Sequence, residues 1–119
     1  MDELKTYKGG CHCGRVRFEV TADLSTVGEC NCSICSKKGY VMQFVQAGSF
    51  TLLSGREDLA DYQFNKKVIH HVFCRHCGVA PFAATGAMDG SEGCAVNVRC
   101  IDDVDLSELK IKRYDGKRL

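Results

Sequence analysis

The chain has little of what most functional classes need. Proline occurs once, at Pro81, and tryptophan not at all, so no proline-rich linker or ligand segment is present. No apolar run approaches the ~18 residues that would span a membrane. The start, residues 1–6, is acidic and polar with no apolar core, so it does not read as a signal peptide, and the chain is expected to be cytoplasmic. Sixteen basic residues stand against fifteen acidic ones, for a net charge of +1. That balance gives no nucleic-acid footprint, and no membrane partner is expected. Apart from its paired cysteine motifs the sequence has no internal repeat and no low-complexity tract.

What is abundant is cysteine. Nine occur in 119 residues, with 12 glycines, and 45% of the chain is hydrophobic. The length suits one domain over 1–119 with a modest core. In a reducing compartment, nine thiols in tight clusters argue for metal rather than disulfides, and the odd count agrees. Cysteine also packs as a small hydrophobe, which covers Cys94 or Cys100 but not the clusters.

Most of the chain reads as short strands punctuated by glycine, so the fold class is mainly β: small antiparallel sheets stapled by zinc, with one or two helical turns. Residues 15–20 alternate, with Val16, Phe18 and Val20 on one face. Strands over 41–46 and 49–54 flank a turn at Ala47-Gly48, and strands over 59–64 and 68–73 flank a second turn at Asn65-Lys66. Residues 79–84, 95–98 and 110–114 complete the set, with Pro81 marking an edge or bulge. Helical turns are expected at 33–38 and 105–109. Exposed edges in so small a β-domain leave room for a homodimer without fixing one.

Gly10-Cys-His-Cys-Gly14 precedes the 15–20 strand, and Cys74-Arg-His-Cys-Gly78 lies between two later ones. Together Cys11, Cys13, Cys74 and Cys77 offer four thiolates, a closed structural zinc site. About sixty residues separate the halves, against ~12–20 in common zinc fingers. The site would therefore staple the start of the domain to its middle. His12 and His76, inside these knuckles, are expected to face away from the metal.

Cys30-Asn-Cys-Ser-Ile-Cys35 remains, with three thiols in the pattern C-x-C-x-x-C. Cys30, Cys32 and Cys35 can converge on a second zinc, and tetrahedral zinc takes four ligands. The fourth place is either open, as in catalytic sites, or closed by Cys94, Cys100, His70 or His71; spacing alone leaves both standing. Three thiolates on Zn²⁺ give a net charge of about −1, a weak Lewis acid for a carbonyl but a good holder of a thiolate. Lys37, Lys38 and Arg99 are the cations placed to offset that charge.

These motifs, with Ala95-Val-Asn-Val-Arg-Cys-Ile-Asp102, together resemble the glutathione-dependent formaldehyde-activating enzyme (GFA) family, which includes centromere protein V. The match runs over nearly the whole chain. The resemblance implies a β-tent-like fold shared with a guanine-nucleotide-releasing chaperone. It implies structural zinc at Cys11, Cys13, Cys74 and Cys77, and a second zinc at Cys30, Cys32 and Cys35 where glutathione binds. The family reaction joins formaldehyde to glutathione as S-(hydroxymethyl)glutathione; read backwards it is a carbon–sulfur lyase. Catalysis would then centre on Cys30, Cys32 and Cys35, with two Zn²⁺ per chain and a small thiol as partner. A non-catalytic glutathione carrier or a zinc-stabilised interaction module is the alternative.

Overall fold

In the computed structural model, which describes residues 4–63 and 69–115, ten strands form two sheets. The chain opens with β1 (Lys5–Gly10), β2 (Arg17–Ala22) and β3 (Thr26–Cys30), followed by the one short α-helix among the described residues, α1 (Ser33–Lys38). Next come β4 (Met42–Val45), β5 (Phe50–Ser54), β6 (Leu59–Tyr62) and β7 (Ile69–Cys74). The last strands are β8 (Phe82–Thr85), β9 (Cys94–Asn97) and β10 (Lys110–Tyr114). The smaller sheet has the order β1-β2-β5 and the larger β10-β3-β4-β9-β8-β7-β6.

The expected alternation in the first apolar strand holds, and Val16, Phe18 and Val20 are all buried. Phe18 stacks on Phe50 at 5.2 Å, and Phe50 meets Phe82 at 4.7 Å. That ring column ties β2 and β5 of the small sheet to β8 of the large one, and such pairs add to their area burial. Gly10 is held by close approach: a Cβ there would lie 2.1 Å from the Val16 carbonyl oxygen. Here the chain doubles back from β1 into β2, and a side chain would block it.

The structure corrects several sequence expectations. The pairing is antiparallel except for one pair: β10 runs parallel to β3, with Ile111 opposite Val27. β1 and β3 lie where no strand was expected. Residues 79–81 are not strand; β8 starts only after Pro81, which has no N–H for a ladder. The helix expected over 105–109 is a single 3-10 turn, Leu106–Glu108, in which Asp105 accepts from the Ser107 N–H. The turn at Asn65-Lys66 lies outside the described residues. Among the described residues no helix is long and apolar enough to cross a membrane.

Candidate metal centres

Two groups of thiols converge. In the first, one sulfur each from Cys11, Cys13, Cys74 and Cys77 lie within 4.8 Å of one another. Cys11 and Cys13 sit in the loop between β1 and β2. Cys74 ends β7, and Cys77 lies in the turn that follows. The cluster therefore sits at the seam of the two sheets. Cys11 Sγ is 3.6 Å from Cys13 Sγ, which is 3.7 Å from Cys74 Sγ. Zinc–sulfur bonds of about 2.3 Å in a tetrahedron set sulfurs roughly 3.8 Å apart, so the donor set fits zinc. Backbone N–H groups point at the same sulfurs: Val16 donates to Cys11 Sγ at 3.3 Å and His76 to Cys74 Sγ at 3.4 Å. Gly78 makes the turn possible with φ of 81°, its N–H bonding the Cys74 carbonyl at 2.8 Å.

These surroundings divide the thiols. Burial opposes ionisation of Cys77, but the N–H of Val79 leads a set of hydrogen bonds that bring its pKa down to about 6. Burial carries Cys74 the other way, up to about 11. The backbone N–H of Arg15, followed by its guanidinium, lowers Cys13. Neither histidine of the knuckles belongs to the thiol group. His76 instead pairs through Nε2 with Asp58 at 2.7 Å.

In the second group, the sulfurs of Cys30, Cys32 and Cys35 meet the same 4.8 Å criterion. Cys30 ends β3, Cys32 caps the N-terminus of α1, and Cys35 lies on the first turn of that helix. The Cys32 N–H donates to Cys30 Sγ at 3.4 Å. α1 stops at Gly39, whose φ of 68° lets its N–H close on the Cys35 carbonyl. Three soft donors on one short connection between β3 and β4 fit the same ion. Burial, with the neighbouring Cys32 and Cys30 sulfurs, pushes the Cys35 thiol up to about 12. Cys32 is lowered overall: burial opposes this, and hydrogen bonds from the Cys35 N–H, then the Cys35 and Cys30 thiols, outweigh it.

Among the described residues no fourth His, Cys, Asp or Glu joins this cluster. The four expected candidates are separated by the fold. Alternation along β7 sends His70 and His71 to opposite faces. His70 Nδ1 pairs with Asp61 Oδ2 at 2.6 Å. His71 lines a cavity that also holds the three cysteines, and Cys94 lines the same cavity at a distance. Burial, then the charge of Lys38, lowers the His71 pKa against the pull of Asp61. Cys100 lies toward the other centre without joining it, its thiol on the Ala80 carbonyl at 3.7 Å: burial, then the charges of Cys11 and Cys77, push it up to about 11. Of the expected cations, Lys37 and Lys38 share α1 with Cys35, and Lys38 Nζ lies 5.3 Å over the Phe73 ring. Arg99 lines neither cavity beside the cluster.

Two cavities meet at this cluster, and both are lined by Cys30 and Cys35. One, of about 460 Å³, has Glu29, Asn31, Arg113 and Asp115 in its wall. The other, of about 570 Å³, lies against β4, β9, β8 and β7. Its lining residues come from four strands and carry no sequence signature. Tyr40, also missed in the sequence, is buried beside the first cavity with a hydroxyl that finds no hydrogen-bond partner among the described residues.

The fold and these clusters define a small β-protein with two thiolate sites, each able to hold a metal ion. The family described as glutathione-dependent formaldehyde-activating enzyme matches residues 6–114. The chain belongs to that family. It is also similar to the crystal structure of a Rhodobacter sphaeroides protein, at 30% identity and a TM-score of 0.74, over 88% of this chain and 99% of that one.

Proposed function

We propose that this chain is a zinc-dependent enzyme of carbon–sulfur chemistry, joining a small thiol to an aldehyde carbon or releasing it. The observation that carries this reading is the three-thiol cluster without a fourth ligand among the described residues, set at the junction of two cavities. Cys11, Cys13, Cys74 and Cys77 would hold a structural zinc between the sheets, and Cys30, Cys32 and Cys35 a second zinc facing the cavities. When bound there, zinc would keep an incoming thiol ionised at neutral pH. Membership of the family supports glutathione and formaldehyde as the reactants, and the product class is S-(hydroxymethyl)glutathione.

The chain's own groups supply position and charge. The reaction forms one sulfur–carbon bond, turns the carbonyl π pair into a hydroxyl, and moves the thiol proton to that oxygen. It needs no oxidant, reductant or organic cofactor. Lys37 and Lys38, on the helix that carries Cys35, offset the negative charge of three thiolates. His71, kept neutral by burial, faces the cavity and is placed to relay the proton. Holding both partners beside one another converts a bimolecular step to a local one.

Glutathione titrated calorimetrically into the fully zinc-loaded protein tests this, with Cys32→Ser as control and formation of the adduct followed in parallel. Binding and rate enhancement that both vanish in a folded control are expected. Binding with no effect on rate would make the protein a glutathione carrier. No binding to a protein holding two zincs would overturn the open site and leave a zinc-stabilised interaction module.

A further inference from the structure

A third cavity, of about 530 Å³, lies between α1 and the strands β6 and β7. It takes Ile34, Lys37 and Lys38 from the helix, Asp61 and Tyr62 from β6, and Phe73 from β7. Ile34 also lines the larger cavity at the second cluster, so the two spaces adjoin across that side chain. A molecule whose sulfur sits at Cys30, Cys32 and Cys35 can therefore pass Ile34 and reach both lysines.

The distances suit a peptide thiol. Cys35 and Lys38 stand three residues apart on one helix, the spacing at which side chains become neighbours. One helical turn rises about 5.4 Å, and an extended peptide covers about 3.5 Å per residue. The residue that follows a cysteine whose sulfur lies at the cluster thus spans much of that turn, and the long lysine side chains cover the rest.

The charges suit a carboxylate. Lys38 Nζ lies 5.8 Å over the Tyr40 ring and 5.3 Å over the Phe73 ring, contacts that hold an ammonium without neutralising it. Burial lowers the pKa of Lys38, and an incoming anion would offset that. Among the described residues neither Lys37 nor Lys38 is paired with a carboxylate. Asp61, in the same wall, already holds His70 Nδ1 at 2.6 Å. Of the two carboxylates of glutathione, the glutamyl one has an ammonium on the same carbon, which two lysines repel. The glycine carboxylate stands alone.

We infer that Lys37 and Lys38 form a subsite for the glycine carboxylate of glutathione, in the cavity between α1, β6 and β7, while the sulfur lies at Cys30, Cys32 and Cys35. This rests on the glutathione reading above and adds which end of the tripeptide the chain recognises. The helix that supplies two of the three thiols then also sets the preference for thiols with a free C-terminal carboxylate.

The test is calorimetric titration of the zinc-loaded full chain with glutathione, its glycine ethyl ester and 2-mercaptoethanol. The ester keeps the sulfur and the glutamyl end and lacks one negative charge. Glutathione should bind at least about tenfold tighter than the ester, and the advantage should shrink as salt is raised. Lys37→Gln and Lys38→Gln should each weaken glutathione about threefold, and the double variant about tenfold. The ester and 2-mercaptoethanol should stay within about twofold in every variant, with zinc content unchanged. An equal loss for all three thiols would mean that the lysines act only on the charge of the cluster, and overturns the subsite. So does ester binding as tightly as glutathione, or a double variant that keeps the full preference for glutathione over the ester; each of these leaves the open site standing. No binding of any thiol to a two-zinc protein overturns the open site and the subsite together. Should the double variant fail to fold, the single variants and the ester decide by the same criteria.

Discussion

Breaking the first cluster should cost about twice as much stability as breaking the second, and the difference can be worked from chain topology. Cys13 and Cys74 bring their sulfurs to 3.7 Å across 61 residues of sequence. A metal held there acts as a cross-link. In the chain-entropy treatment of cross-links, closing a loop of that size removes about 4 kcal/mol of freedom from the unfolded state. A domain of this size has only ~5–15 kcal/mol in total. Cys74→Ser should therefore lose about 4 kcal/mol before any direct metal–ligand energy is counted, a fall of about 15 °C in the unfolding midpoint. The second cluster spans residues 30–35 and closes only a local loop, for which the same treatment gives about 2 kcal/mol, so Cys32→Ser should fall by about half as many degrees. The assay is thermal and urea unfolding of the zinc-loaded proteins, with zinc counted by release to a chromophoric chelator. Equal losses in the two variants would refute the reasoning. So would a Cys74→Ser protein that loses a zinc yet unfolds within about 1 kcal/mol of the unmodified chain.

Two further outcomes follow from buried polar groups. The Tyr40 hydroxyl is enclosed without a hydrogen-bond partner among the described residues, so Tyr40→Phe removes a desolvated group and should stabilise by about 1 kcal/mol in urea unfolding; a loss of stability would contradict this. His71 has its pKa lowered below 6.5, chiefly by burial. The unfolded chain then takes up a proton near pH 6.5 that the folded chain refuses. The contribution is intact above 6.5 and declines as pH falls from there toward the lower folded value. Acid loss of zinc acts on both proteins alike, so His71→Gln should lose stability less steeply between pH 6.5 and 5.5, and parallel curves would rule the effect out.

The cysteine groups were legible in the sequence because chelation is a local matter of spacing. One residue between Cys11 and Cys13, and two between Cys74 and Cys77, already set each pair for one ion. The apolar strands were legible where alternation was strong, as at Val16, Phe18 and Val20. β1 was not, because Lys5–Gly10 has little apolar pattern and packs through two glycines: Gly9 lies so close to Cys100 and Ile101 that a Cβ would clash. β3 was missed because Thr26–Cys30 mixes buried and half-buried positions, and its parallel partner, β10, lies more than eighty residues away. The second site was half legible. Its three ligands stand together in the sequence, but its cavity is assembled from β4, β7, β8 and β9, which only pairing in the sheet brings together.

On the proposed function one metal type serves two purposes in 119 residues, and that division bears on how. The first cluster takes its ligands from both sheets, so any movement of the ion would shear the seam that Phe18, Phe50 and Phe82 fill. Chemistry that alters ligand number would be opposed there by the whole core. The second cluster takes all three ligands from the end of β3 and the short helix after it, and only Cys35 is fully buried. Cys32 and Cys35 can shift with α1, while Cys30 is held at the end of β3 in the larger sheet. On the proposed function, a reactive site on the local β3–α1 connection and a stabilising site across the seam would separate the two demands.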